Sequence, residues 1–366
     1  MGPLARTIEH RSLKFGAIAE RRWTLRVVLH ADDLGLNSAI NAGIVRGFER
    51  GLLTSTSLLA NAPQAAAALA SWQDLCRRHA EGVLPSVAAR AELDDTRAAF
   101  DLGVHLNLTQ GRPLSGQGYP AELLDEGGRF PGIAALFYRL QGRPARFGAG
   151  IRAELVEQIT FVLDHGLRPT HLNSHQYVEL LPPVAETIRR LIELFRIPVV
   201  RVAVEPALLR STFLSDFRVA PLALALVKRF YAWRFRRGLA GHGVTFPPVY
   251  FGTSQAGRID GRLMKLFLAR AGRAECIEIG LHPGLPIDSA DKSADADGWH
   301  DVLAPWRSHE LKLLESRELV RLLKQSDRSL GRLSQLTAAG RGSQEFIPPT
   351  ALPPRPLLPE PRRKAG

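Results

Sequence analysis

Along the chain, short apolar runs rich in β-branched residues alternate with longer stretches of helical periodicity. "LRVVLHA" (25–31) precedes a helical stretch over Ser38–Arg50, "LLTSTSLLAN" (52–61) precedes an Ala-rich one from Pro63, and "LGVHLNL" (102–108) leads into a Gly- and Pro-rich loop over Gly111–Gly132. A helix over Ala149–His165 then precedes "PTHLNSH" (169–175), and a helix over Pro182–Phe195 precedes "IPVVRVAV" (197–204). Later come "PPVYFG" (247–252), a helix over Asp260–Ala271, "ECIEIGLHPG" (275–284) and a charged helix over Trp306–Leu330. Regular alternation of this kind predicts repeated β-α units around a parallel sheet. About seven strands are expected, enough to close a barrel.

Polar residues interrupt this pattern at the ends of the predicted strands. Asp32 and Asp33 end the first, Asn61 follows the second, His105 and Asn107 lie late in the third, His175 ends "THLNSH", and His282 follows "IEIGL". Period-two alternation puts His105 and Asn107 on one face of their strand, and His171, Asn173 and His175 together on one face of theirs. Ligands of parallel α/β folds gather at the carboxyl ends of strands, where loops from many strands converge. One carboxylate and two imidazoles from different strands suit a divalent cation, Mg²⁺ or Zn²⁺. One of the adjacent aspartates would serve as ligand and the other as a base on activated water. Asp33 or Asn37 could instead cap the helix starting near Ser38.

Composition adds limits. The chain has 366 residues, 45% of them hydrophobic, which suits one barrel-sized core over residues 25–330 after an N-terminal extension, 1–24. Cys76 and Cys276 stand far apart, so neither a disulfide framework nor a thiolate metal site is expected, and a reducing cytoplasm fits. No secretory signal or bilayer-spanning run is evident. The net charge of +12 is unevenly placed: seven Arg/Lys against one Asp over Leu208–Arg237, and six against two Glu over Gly331–Gly366. The latter, with seven prolines after Phe346, reads as a disordered basic tail. No nucleic-acid-binding motif accompanies the charge, which argues against that partner. In "LVKRFYAWRFRRGL", Lys228, Arg229, Arg234, Arg236 and Arg237 flank Phe230, Trp233 and Phe235. This segment reads either as a solvated helix with aromatics packed below or as an interfacial helix on anionic lipid, peripheral to the inner membrane.

Six segments, in order, resemble the ChbG/YdjC-like carbohydrate deacetylases, a family that includes the HpnK-type hopanoid-biosynthesis-associated proteins. They are "ADDLGLNSAINAGI" (31–44), "GLLTSTSLLAN" (51–61), "LGVHLNLTQGRPL" (102–114), "THLNSHQYVELLP" (170–182), "IPVVRV" (197–202) and "GLHPG" (280–284). The resemblance implies a TIM-like barrel and a metal-dependent hydrolase that removes N-acetyl groups from a sugar, including a glycolipid or cell-envelope precursor. It makes Asp33, His105 and His175 the metal ligands, Asp32 the general base and His282 the acid that protonates the departing amine. Arg201 would orient a carboxylate or contact sugar, and Asn61 would line the pocket. A homodimer is compatible with it.

The chain departs from the family pattern where many members read Asp-Ser-His-Gln-His-Val-His. Here Asn173, Tyr177 and Glu179 replace an aspartate and two histidines, while His175 is kept. Losing the carboxylate at 173 removes a charge that could orient its neighbours. The alternative function is therefore a barrel that binds sugar without hydrolysing it.

Overall fold

The computed structural model describes residues 25–84, 100–142, 144–206, 220–253, 255–286, 297–324 and 328–338. Its elements alternate much as the periodicity predicts: β1 Leu25–Leu34, α1 Ser38–Glu49, β2 Ser55–Leu58, α2 Ala65–Ala80, β3 Asp101–Leu106, α3 Ile133–Arg139, α4 Gly148–Asp164, β4 His171–Ser174, α5 Pro182–Phe195, β5 Val199–Val200, α6 Ala220–Gly238, β6 Val249–Phe251, α7 Gly261–Arg270 and β7 Cys276–Leu281. All strand pairs are parallel, in the order β5-β4-β3-β2-β1-β7-β6. The two outer strands approach through a single described bridge, Val199 to Thr245, just before β6. The sheet is thus a curled α/β half-barrel with irregular closure.

Two expectations shift at the C-terminal end. The charged helix predicted over Trp306–Leu330 is two helices, α8 Ala304–Leu314 and α9 Arg317–Lys324, followed by a short strand, β8 Arg328–Leu330. The break falls at Ser316, whose hydroxyl accepts from the Leu319 amide and caps the second helix. β8 pairs with Leu25–Val27, the lower part of the β1 edge that β2 occupies from His30 upward. The boundary expected at 331 falls later, because α10, Gln335–Ala338, and the turn before it belong to the fold. Leu333 is fully buried, and Ser334 donates to Asp101 through both its amide and its hydroxyl. Residues 1–24 and 339–366, read as extension and tail, lie outside the described residues.

Alternation along the strands separates two cores. Val27, Leu29 and Ala31 of β1 join the large apolar cluster under the helices. Val28, Val199, Cys276 and Leu333 form a small second cluster, with Leu333 plugging the amino-terminal end of the sheet's concave face. Above this plug the same face turns polar: His30 and Asp32 on β1, Glu278 on β7, His171 and Asn173 on β4 are all buried. Gly103 supplies the room, because a Cβ there would collide with the His171 ring. His30 and His171 meet at 2.7 Å through their Nε2 atoms, and burial lowers the pKa of both. Neutral imidazoles fit that contact, since one must donate and the other accept.

Candidate active site

The adjacent aspartates of β1 would point to opposite faces of a regular strand. They do not, because Asp33 has φ +67° and the β1–β2 register shifts between Ala31 and Leu34. This bulge turns Asp33 back toward the concave face, so both carboxylates serve one site. Left-handed backbone costs an aspartate roughly 1–3 kcal/mol, a strain found where side-chain placement matters. The capping role goes to Asn37, whose Oδ1 accepts from the Ile40 amide at 2.8 Å.

Asp33, His105 and His175 come together: one ligand-type atom from each lies within 4.8 Å of the others. Asp33 Oδ1 is 3.5 Å from His105 Nε2 and 3.2 Å from His175 Nδ1. Asp33 Oδ1 and His175 Nε2 are buried and, among the described residues, have no hydrogen-bond partner. A buried carboxylate oxygen and two imidazole nitrogens facing one another offer three donor atoms to a common point, so the residues present fit a divalent ion. Burial holds the His105 pKa down to about 4, which keeps the ring neutral and able to ligate.

Asn173 decides which His105 nitrogen is free. His105 and Asn173 are register partners on β3 and β4. The Asn173 amide nitrogen donates to Asp32 Oδ1 at 3.0 Å, and its carbonyl lies 2.8 Å from His105 Nδ1. An ionised carboxylate only accepts, so the amide must turn its NH₂ toward Asp32. Its oxygen then accepts from His105 Nδ1–H, leaving the Nε2 lone pair toward Asp33. The residue that departs from the family pattern thus orients one ligand and secures the neighbouring carboxylate.

Asp32 also takes Arg201 Nη1 at 2.7 Å, while Arg201 Nε donates to Glu278 at 2.8 Å. Burial would raise the Asp32 pKa, but Arg201, with His105 and His30, outweighs it and holds the carboxyl well below its usual range. Arg201 is itself buried, its guanidinium 4.8 Å above the Tyr250 ring. It therefore touches carboxylates rather than open space. His282 Nε2 stands 3.8 Å from Asp32 Oδ2. The His175 and His282 side chains are 13% and 11% exposed, against 2–5% for Asp33, His105 and Asp32, so the two histidines form the lip of the depression.

Asn61 sits apart from this group. Its Nδ2 donates to the Gln110 and Arg112 carbonyls, and its Oδ1 accepts from Asn107, tying down the loop after β3. Tyr177 follows β4 in a turn where Gln176 and Tyr177 both have positive φ. Lys228 Nζ of α6 lies 4.7 Å over its ring. Glu179 points away into the protein, accepting from the Ser174 hydroxyl, and burial raises its pKa to about 7.

Sequence reasoning missed the groups that hold these side chains. Arg307, fully buried on α8, donates through Nη2 to Asp33 Oδ2 at 2.7 Å and pairs with Asp301 through Nε and Nη2. Burial would raise the Asp33 pKa, but Arg307 overrides it and keeps the group ionised. Glu310, one turn on, accepts from the His282 amide at 2.6 Å and the Ile259 amide at 3.1 Å. A signal existed: Arg307 and Glu310 share the helical face of Leu311 and Leu314, which marks them as buried charges.

Carboxylate and imidazole donors converging at the carboxyl ends of a curled parallel sheet define an α/β half-barrel with a candidate divalent-cation site. The chain belongs to the YdjC-like protein family, whose pattern it matches over residues 26–325. It is 28% identical over 345 residues to a human carbohydrate deacetylase, covering 90% of this chain and 96% of that one. A carbohydrate deacetylase of Geobacillus stearothermophilus is 33% identical over 172 residues, 47% of this chain and 58% of that protein. A solved structure from Enterococcus faecalis, of a protein proposed to cleave cellobiose phosphate, superposes with a TM-score of 0.62 at 19% identity, covering 86% of this chain and 99% of that one. That likeness shows the fold.

Proposed function

We propose that the protein is a metal-dependent carbohydrate deacetylase that removes the N-acetyl group from a sugar, with a glycolipid or cell-envelope precursor as the substrate class. The observation that carries this reading is the meeting of Asp33, His105 and His175 within 4.8 Å around an unpaired carboxylate oxygen. Relatives named as carbohydrate deacetylases support the sugar. None of the described helices is long and apolar enough to cross a membrane. A cytoplasmic enzyme, working free or at the inner-membrane surface, suits this reading.

The chemistry asks for three things from the chain. An acetamide is a poor electrophile, and Asp33, His105 and His175 would hold Mg²⁺ or Zn²⁺ to polarise its carbonyl and acidify water. Asp32, kept ionised by Arg201 and aligned by Asn173, accepts the proton as water attacks. His282, at the lip beside Asp32, gives a proton to the departing amine, without which the tetrahedral adduct loses the added water again and the C–N bond stays intact. Arg201, Asn173 and Arg307 do not touch substrate; they fix the directions of the groups that do. Asn61 contributes by holding the β3 loop that borders the depression.

Acetate release from N-acetylglucosamine-containing saccharides, measured with and without a chelator, tests the reading. Release is expected to stop on chelation and to fall at least a hundredfold in Asp33→Ala, the scale of losing a metal ligand. Activity that survives both changes would refute it. Saccharide binding without any turnover by the metal-loaded protein would favour the non-catalytic alternative, which the Asn173, Tyr177 and Glu179 departures motivate.

A further inference from the structure

The helix α6 has two faces. Toward the protein it buries Ala232 and Phe235, with Leu239 just past its end, and sends Lys228 over the Tyr177 ring. On the opposite face Val227, Phe230 and Trp233 are 50%, 53% and 49% exposed. At 100° per residue these three, with Arg234 and Arg237, occupy one side of the helix. The Phe230 and Trp233 rings stack at 6.3 Å, with Arg234 6.0 Å from the Phe230 centroid and Arg237 4.9 Å from that of Trp233. Among the described residues nothing covers this face.

We infer that the outer face of α6 docks on the surface of an anionic phospholipid bilayer. Residues 220–238 carry five cations and no carboxylate; Lys228 turns inward over Tyr177 and Arg236 over Phe246, which leaves Arg234 and Arg237 on this face. Charge complementarity therefore demands a negative partner, and the Val227-Phe230-Trp233 strip demands one with an apolar layer beneath the charge. A phosphate-bearing membrane interface offers both within a few ångströms. A nucleic acid offers the charge without an apolar layer for valine to enter. A second copy of the chain, meeting the first across a two-fold axis, would oppose Arg234 and Arg237 with the same residues and so repel. Aromatic rings with guanidinium groups over their faces are suited to the headgroup level, where the ring is half in hydrocarbon and the cation stays hydrated.

The inner face gives the docking a purpose. The 3₁₀ turn His175–Leu180, which opens on one of the candidate ligands, packs against α6. A membrane held at the outer face would bring the lip of the site close to headgroup-borne sugars. The docking itself does not depend on the hydrolytic reading.

Co-sedimentation of the full chain with phosphatidylcholine vesicles, with and without phosphatidylglycerol, tests it. Binding is expected only with phosphatidylglycerol and should weaken as salt is raised. Two variants separate the contributions. Arg234→Gln with Arg237→Gln should weaken binding about thirtyfold, from two surface charges, and Phe230→Ala with Trp233→Ala should weaken it at least tenfold. Both pairs replace exposed side chains, and an unchanged melting temperature would show that they fold. Equal binding to neutral and anionic vesicles would overturn the inference. Equal binding by the wild type and both variants would place any membrane contact in the basic termini, and overturns it too. So would self-association that the Phe230 and Trp233 changes abolish without any vesicle binding.

Discussion

Asn173 is the sharpest test of the site, because its one amide bridges His105 Nδ1 and Asp32 Oδ1. Asn173→Ala strips the acceptor from His105 Nδ1 at 2.8 Å and the donor from Asp32 Oδ1 at 3.0 Å. Asp32 Oδ1 keeps His30 Nδ1 at 3.0 Å, so one buried group, His105 Nδ1–H, is orphaned and the metal-free protein should lose about 1–3 kcal/mol of unfolding stability. Without its acceptor, the His105 ring can flip its tautomer and present N–H rather than a lone pair to the ion. Losing such a partner costs about 10–100-fold in metal affinity. Asn173→Asp still accepts from His105 but sets a second carboxylate against Asp32, a like-charge contact worth several kcal/mol that a bound cation relieves. It should therefore bind Zn²⁺ at least as tightly as the wild type, while Asn173→Ala binds it more weakly. Competition with a chromophoric chelator would measure all three. An Asn173→Ala protein with wild-type affinity would refute the argument that this amide sets the His105 tautomer.

Two further perturbations address the buried charges. Glu179 keeps its proton in the folded state up to about pH 7 but ionises near 4.5 when unfolded. Between those values the folded chain binds the extra proton, so stability falls as pH rises, by up to ~1.4 kcal/mol per pH unit and roughly 3 kcal/mol in all. Urea titrations should show the wild type losing stability relative to Glu179→Gln across the window; Asp101, whose pKa burial raises to about 6, and the buried His30, His105 and His171, whose pKa burial lowers, act on both proteins alike. An unaltered slope would contradict the burial assigned to Glu179. Arg307→Met leaves Asp33 and Asp301 buried without their shared cation and should cost about 3–5 kcal/mol in thermal or urea unfolding with chelator present, as removal of one partner of a buried ion pair does. A loss under about 1 kcal/mol would show that Arg307 does not support Asp33 as its geometry implies.

Much of the site was legible because its members lie at the ends of periodic segments. His105 on β3, Asn173 on β4 and Asp32 on β1 follow from counting alternate residues back from the apolar runs. The helix α5 begins and ends where its periodicity does, with Pro182 at the first helical position. Asp33 was singled out for its neighbour, yet plain alternation puts it on the wrong face; only the bulge brings it round. Arg201 was expected to orient a carboxylate or touch sugar, and it lies buried against Asp32 and Glu278, contacts that strand periodicity does not record. The charged stretch over Trp306–Leu330 read as a single helix because its periodicity carries no sign of the break at Ser316. That Arg307 and Glu310 point inward follows from what α8 packs against, and β8 was missed because three residues carry no periodicity.

What the sequence by itself determined is local: which segments alternate with period two or 3.6, and which polar side chains stand where an apolar strand stops. Those are properties of neighbours along the chain, set by backbone geometry that repeats every few residues. The tertiary structure alone decided that Asp33, His105 and His175 converge, that Asn173 bridges Asp32 and His105, and that Arg307 crosses from α8 to Asp33. Each of these depends on the curl of the sheet and on pairings 68 to 274 residues apart along the chain. Such distances are closed by the burial of the whole core, and no short window of sequence records it.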